Sequence, residues 1–555
     1  MGSPNGPSAP PSGFVPGTVH LVDLEGTMAS RHAAGGARDV VLIPTPSNDP
    51  DDPLNWSPRR KTLLLSCLCV YCLSIGIASA AIYSILVPIS AATNLTLGDL
   101  NAGTGYMFLT LGWGCLVWQP LAQKYGKRPV YLLSLLATLL IMVWAPYATT
   151  GSQWTANKVL EGFFGAPIES LCEISIADVW FTHERGTYMG FYALFLFGSN
   201  FLAPVIAGFI NDGQGWEWVL HWCAIFCGIG FLICFFFMEE TNYQRVTVLN
   251  AEIFAGDGTE SSAEKGAKTQ SDTDNVAPIQ PDADETSKTP SRKTFMDKIQ
   301  MFRKQDMNLQ LSLKTMAIRP FLFFSFPVIV FSGFMYGAIL CYFNVLNGTA
   351  SLILSSPPYN FRASIVGLSY ISCLIGVAIG TLYSGHLGDA FILWKARHNK
   401  GVMEPEFRLW LFCALMVVIP GSLLLWGVGA AHKVHWFGLV FAMGALSGGV
   451  TAGSQLAITY CIDSYKELGA DAIVTVILIR NTMSFAVSYG YVTNNLGIAL
   501  ATITPWVTNM GWQNAFLVAA FAALAQISLF FLMIKKGRGF RQKSVASFWR
   551  YREHE

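Results

Sequence analysis

The stretch NKVLEGFFGAPIESLCEISIADVW, residues 157–180, is long and apolar enough to cross a bilayer, yet it carries Lys158, Glu161, Glu169, Glu173 and Asp178. Each ionised group held at mid-membrane costs roughly 2.5 to 3.5 kcal/mol on insertion scales, so a helix with several must face protein or water. The combination predicts a helical membrane protein with a polar interior. In a straight helix of about 100° per residue, Lys158 and Glu169 project about 20° apart and Glu169 and Glu173 about 40° apart, so one face can present all three. Two carboxylates one turn apart in low dielectric repel and titrate as a coupled pair. Such a pair can trade a proton for a cation.

The rest of the chain agrees with that class. Of 555 residues 52% are hydrophobic and only 13% charged, with a mean hydropathy of +0.42, against about 25% charged in an ordinary soluble domain. No basic patch suited to nucleic acid is visible, and the net charge of +1 says little because charges are segregated along the chain. The twelve cysteines all fall in apolar segments, which argues against a disulfide framework. Cys67, Cys69 and Cys72 scatter round a helix with no His, Asp or Glu nearby, so no metal site is expected there. The polar parts hold no nucleotide loop, zinc motif or nucleophile arrangement, which argues against an ATP-driven pump, an enzyme or a bound cofactor. With no signal-peptide pattern in the first 60 residues, the first spanning helix is expected to target the chain.

Apolar runs of the about 20 residues needed to span begin near 62, 100, 129, 153, 187, 217, 319, 363, 408, 434, 469 and 511. That makes twelve, six before a hydrophilic segment and six after it. The expected organisation is a disordered cytosolic tail over 1–58, a six-helix bundle over 59–239, a largely disordered cytosolic linker over 240–317, a second bundle over 318–535 and a basic cytosolic tail over 536–555. The linker is rich in Ser, Thr, Asp, Pro and Lys and cannot bury a core; its last part, Thr294 to Lys314, has the pattern of a surface amphipathic helix.

Lys and Arg set the orientation. With the amino terminus inside, Arg59, Arg60, Lys61, Lys124, Lys127, Arg128, Arg185, Lys395, Arg397, Lys400, Arg408, Lys466 and the 535–552 tail lie inside, against Arg362 and Lys433 outside. Both termini are therefore expected in the cytosol. The sequons Asn94-Leu95-Thr96 and Asn347-Gly348-Thr349 fall in expected outer loops and are candidate glycosylation sites.

Between the second and third spans, QPLAQKYGKRPVY at 119–131 resembles the loop signature of the major facilitator superfamily in Leu121, Ala122, Lys124, Gly126, Lys127 and Arg128, with Gln119 and Gln123 standing where that family prefers Gly and Asp. The pattern restarts between spans eight and nine as Gly385-His386-Leu387-Gly388-Asp389. This loop reads as a latch: Gly126 permits a tight turn, and Lys127 and Arg128 can pair with carboxylates such as Asp178 and Glu184, beside Arg185. Lys158-Val159-Leu160-Glu161-Gly162 resembles the family's fourth-span signature, with Lys for Arg. Gly190, Ser199, Ala203, Pro204, Ala207 and Gly208 resemble its fifth-span antiporter signature, each departure being to another small residue; close helix packing explains the same pattern without antiport. Further stretches, among them DDPLNWSPRRK and TYCIDSYKELGADAIVTVILIRNTMSFAVSYG, are similar to the fungal twelve-span drug:proton antiporter branch, near polyamine and histidinol permease-like proteins and secondary-metabolite exporters.

The resemblance implies an all-α fold of two pseudo-symmetric six-helix bundles, with substrate held at mid-membrane between them. It implies a monomeric, proton-coupled transporter of small organic molecules in the plasma membrane, the vacuolar membrane being the alternative. Glu169 and Glu173 favour amines and other cations, with Lys158, Glu161, Asn344 and Asn481 as further cavity candidates. Asp463 and Arg480 are expected to pair at the cytosolic side. Export is narrowly favoured over import of polyamine-like cations, and a non-transporting membrane sensor is the alternative from another class.

Overall fold

The computed structural model describes residues 15–20, 44, 47, 49–243, 312–361, 363–465, 468–489 and 503–552. The expected linker, its amphipathic stretch short of Ser312, and most of the amino-terminal tail lie outside the described residues.

Helices follow one another with short turns: α1 (Pro58–Ala80), α2 (Leu86–Ala92), α3 (Leu97–Tyr125), α4 (Lys127–Trp144), α5 (Gly151–Gly165), α6 (Pro167–Val179), α7 (Thr182–Gln214) and α8 (Trp216–Phe237) form the first half. The second half holds α9 (Leu313–Leu322), α10 (Pro327–Ser355), α11 (Ala363–Ser369), α12 (Ile371–Leu382), α13 (Gly388–His398), α14 (Phe412–Ala431), α15 (Trp436–Ser464), α16 (Gly469–Tyr489), α17 (Ile503–Ile527), α18 (Phe530–Lys543) and α19 (Val545–Arg552). Paired across their breaks, they make twelve traverses among the described residues. Among the described residues nine helices are long and apolar enough to cross a membrane, and neither α3 nor the broken pair α5–α6 is among them. The alternation puts Pro58 and Lys543 at the same end of the bundle, called the terminal end below; the opposite end is the far end.

Local chemistry sets the helix limits. Thr96 and Asp99 form a capping box that starts α3. Gly126 at φ 110° makes the turn from α3 to α4, a backbone region open to glycine at no steric cost. Pro167, the first residue of α6, has no N–H to donate, and the traverse breaks there into α5 and α6. Between halves, α3 runs along α16 and α7 along α12. Within the second half, a side chain at Gly376 would collide with the Gly444 carbonyl, so α12 and α15 meet backbone to backbone through small residues.

Three expectations change. Asn347 lies inside α10 rather than in a loop, and the Thr349 hydroxyl is buried and accepts the Trp426 indole N–H at 3.1 Å. A sequon needs an accessible loop, so Asn347 is not an acceptor. The expected basic tail over 536–555 is helical as far as it is described: α18 continues to Lys543, α19 runs to Arg552, and Arg541 is fully buried. Within 1–58, Val19–His20 (β1) pairs antiparallel with Val402–Met403 (β2) in the loop after α13, and Asp52, Leu54 and Trp56 are buried. A few apolar and capping residues anchor these pieces despite their polar surroundings.

Candidate functional site

The break at Pro167 separates the charges that a straight helix would align. Upstream of it, Lys158 donates to Glu161 at 2.6 Å, both buried, with the ammonium 5.1 Å from the Trp154 ring centre. Gly162, the last residue of that signature, lies where any side chain would strike Met107 and Thr110 of α3. Lys158 therefore belongs to Glu161 inside the first half and is not brought to Glu169.

Downstream of the break, Glu169 meets Arg480 of α16 at 2.5 Å, an ion pair that joins the two halves. Glu169 lies ten residues from the end of α6 and Arg480 eleven from the start of α16, which at 1.5 Å per residue places both about 15 Å in from the terminal end. Arg480 also donates to the Tyr336 hydroxyl at 2.7 Å and to Asn481 Oδ1 at 2.9 Å, and its guanidinium stands 4.7 Å from the Tyr336 ring centre. Asn481 packs against Gly112 of α3, where a side chain would be 2.5 Å from the Asn481 Cβ. One turn along α6, Glu173 is 1% exposed, feels the charges of Glu169 and Arg480, and its Oε2 has no hydrogen-bond partner. Ser170 Oγ and Asn481 Nδ2 are likewise without partners. Buried polar atoms left over in this way cost free energy unless something fills the gap. Asn344 sits on α10 two turns beyond Tyr336 and is half-buried; nearby Tyr342 donates to Gln526 at 2.6 Å.

Arg480 thus takes Glu169 and not Asp463, correcting the expected cytosolic pair. Asp463 accepts from Arg408 Nε at 2.6 Å, and Arg408 reaches Asp389 at 3.4 Å. Asp389 in turn accepts from the Thr187 N–H at 2.7 Å and hydroxyl at 3.1 Å, across the seam on α7. Gly186 leaves room for that carboxylate, and the carbonyl of Gly186 and the Cα of Thr187 lie 3.2 and 3.4 Å from where a side chain would begin on Gly385. The second copy of the loop motif therefore closes the terminal end between halves.

The first copy stays within its own half. Lys127 pairs with Asp178, and Arg128 donates to the Phe235 carbonyl at 2.6 Å. The Glu240 carboxylate accepts from the backbone N–H groups of Lys127 and Arg128, both at 3.0 Å, neutralising the start of α4. Gln123 contributes its carbonyl to Asn242 at 3.0 Å. Of the two carboxylates expected in the latch, Asp178 takes Lys127 while Glu184 stands 3.8 Å from His183; Arg185 donates to the Ala177 carbonyl at 3.2 Å.

On α7, a side chain begun on Gly190 would stand 3.2 Å from the Thr381 carbonyl of the second half, while Ser199 fills the space over Gly76 of α1. Ala203, Pro204 and Ala207 are buried, and nothing lies within 4 Å of a side chain placed at Gly208. Asn94 is exposed at the far end.

A family model described as Major Facilitator Superfamily matches residues 64–484. This chain belongs to the Major Facilitator Superfamily. It is a membrane transporter rather than an enzyme. The transporter is 26% identical to an uncharacterized MFS-type transporter of Schizosaccharomyces pombe over 98% of its own length and 95% of that protein. To the multidrug transporter TPO1_2 of Candida glabrata it is 25% identical, over 90% of this chain and 78% of the other. Its fold resembles the solved proton:xylose symporter XylE with a TM-score of 0.57 at 13% identity, covering 86% of this chain and 97% of that one.

In the sequence Arg408 and Arg541 read only as cytosolic anchors, and Thr187, Glu240 and Glu406 have no assigned role. Arg408 carried a signal: it lies two residues after Glu406, at the start of an apolar run, where a charge needs buried partners.

Proposed function

We propose that this transporter exchanges protons for a small organic cation by alternating access, with the Glu169–Arg480 bridge and Glu173 as its carrier site. The observation carrying this reading is one inter-half ion pair at mid-depth beside a buried carboxyl oxygen that has no partner. Arg480 already neutralises Glu169, so Glu173 is the group suited to carry the proton. An arriving cation competes with Arg480 for Glu169, and Arg480 keeps Tyr336 and Asn481 as partners when displaced. Breaking the bridge frees the halves to rock, so occupancy and opening are linked.

The reading places the chain in the plasma membrane with both termini cytosolic, since Lys and Arg concentrate at the terminal end. Moving a positive charge outward against an inside-negative potential costs about 2.3 kcal/mol per 100 mV, which inward proton movement offsets. Export is preferred because a relative over most of this chain is described as a multidrug transporter; import of polyamine-like cations is the alternative. Asn94 remains the candidate glycan acceptor.

The test is amine flux in proteoliposomes under an imposed pH gradient. Glu173→Gln should retain amine counterflow and lose its dependence on the gradient, whereas Glu169→Gln should lose both. Unchanged flux and unchanged coupling in both variants, across polyamines and lipophilic amines, would sink the reading. The direction of gradient-driven flux decides export against import.

A further inference from the structure

The amino-terminal residues Val15 to His20 are docked on the second half by three independent contacts, through Gly17, Arg541 and strand pairing. Val15 is buried, and the Thr18 N–H closes a turn onto its carbonyl at 3.2 Å. Gly17 has φ 81°, and a side chain there would stand 2.6 Å from the Asp463 carbonyl oxygen and 2.8 Å from Ser464 Cα, so the fit demands glycine twice over. Arg541 holds Glu406 at 2.6 and 2.9 Å and turns its remaining Nη1 to the Pro16 carbonyl at 2.5 Å and the Thr18 hydroxyl at 3.0 Å. Val19 and His20 then extend β2 as a second strand. Backbone pairing, one charged fork and one glycine slot are the elements of peptide recognition by strand addition.

The docking position bears on the closure between halves. Gly17 presses on the backbone of Asp463, whose carboxylate binds Arg408, which reaches Asp389, which accepts from Thr187 of the first half. The same polypeptide is also fixed to the first half. Tyr243 donates to Asp49 at 3.0 Å, Asp52 accepts from Ser47 and Leu54 at 3.0 and 3.1 Å, and Arg60 pairs with Glu239 at 2.6 Å. A ligand tethered this way reaches a millimolar-scale effective concentration, enough to keep a weak site filled.

We propose that the terminal face of the second half is a peptide-binding surface whose occupant is this chain's own residues 15–20, and that its occupancy holds the closure between the halves. The strap thereby acts as an intramolecular brake on opening at the terminal end.

The experiment is hydrogen–deuterium exchange on the full chain in detergent, comparing the unsubstituted protein with Gly17→Val. Valine brings both the collision with Asp463 and an unfavourable backbone, so the strap should leave. Exchange should then rise in the peptide carrying Val402–Met403 and, decisively, about 5-fold or more in the peptide carrying Thr187, which the strap does not touch. A synthetic peptide of residues 13–22, added to Gly17→Val, should restore both protections and should have no effect on the unsubstituted protein. Thr18→Ala should move both regions in the same direction by less. Faster exchange at 402–403 with none at Thr187 would reduce the strap to a local brace and overturn the proposal. So would no change at either place, or a peptide that fails to restore protection.

Discussion

At mid-depth the Glu169–Arg480 ion pair joins the halves, beside polar atoms that lack partners: Glu173 Oε2, Ser170 Oγ and Asn481 Nδ2. At the terminal end Asp389 accepts from the backbone and hydroxyl of Thr187 while Arg408 spans Asp389 and Asp463. The first contact leaves hydrogen-bonding capacity unused beside the seam, and the second shares its one guanidinium between two carboxylates and crosses the seam through neutral donors. Under the proposed exchange, a cationic ligand displaces the former by competing with Arg480 for Glu169. The latter answers to the geometry of the helix ends, so it reports conformation rather than cargo.

The most severe way to break the contrast is Arg408→Ala, which leaves two buried carboxylates without their cation. Removing one partner of a buried pair costs about 3–5 kcal/mol, so this variant should show the largest loss of thermal stability in detergent. Arg480→Ala comes next, at about 3 kcal/mol by the same argument, with transport abolished; adding Glu169→Gln should recover most of the stability but none of the transport. Asp389→Asn keeps an acceptor for Thr187 and weakens only the contact with Arg408, so about 1–2 kcal/mol is expected, along with faster exchange of the Thr187 amide. Smallest in stability is Glu173→Gln, within about 1 kcal/mol because no partner is lost; its effect should appear in the pH dependence of flux. A Glu173→Gln protein as destabilised as Arg480→Ala would erase the distinction between the two depths.

The twelve traverses and their division into halves were legible because run length and loop polarity are local properties of the chain. The partner of Arg480 was not. Asp463 was expected because it ends the preceding span on the same side of the membrane, whereas the true partner depends on α16 packing beside α3 and α6, a tertiary fact with no local signature. The straight-helix alignment of Lys158 with Glu169 fails at Pro167, where two helices with independent phase replace one. Asn347 misled because a three-residue sequon says nothing of the apolar run it interrupts, and that run continued as helix. In the amino-terminal segment the overall polarity outweighed Val15, Gly17 and Thr18, although a glycine slot and one arginine fork suffice to dock a strand.

The ion pair between halves also sets a problem of timing. Arg480 is synthesised 311 residues after Glu169, which at about 5–20 residues per second means roughly 15 to 60 s during which the Glu169 traverse exists without its cation. The Lys158–Glu161 pair faces no such wait, since its partners emerge within one turn of each other. The first half therefore enters the membrane with one charge balanced from birth and another on credit. That makes the late arrival of α16 the step at which an assembly factor, or a slow stretch of translation, would have most influence on the yield of folded transporter.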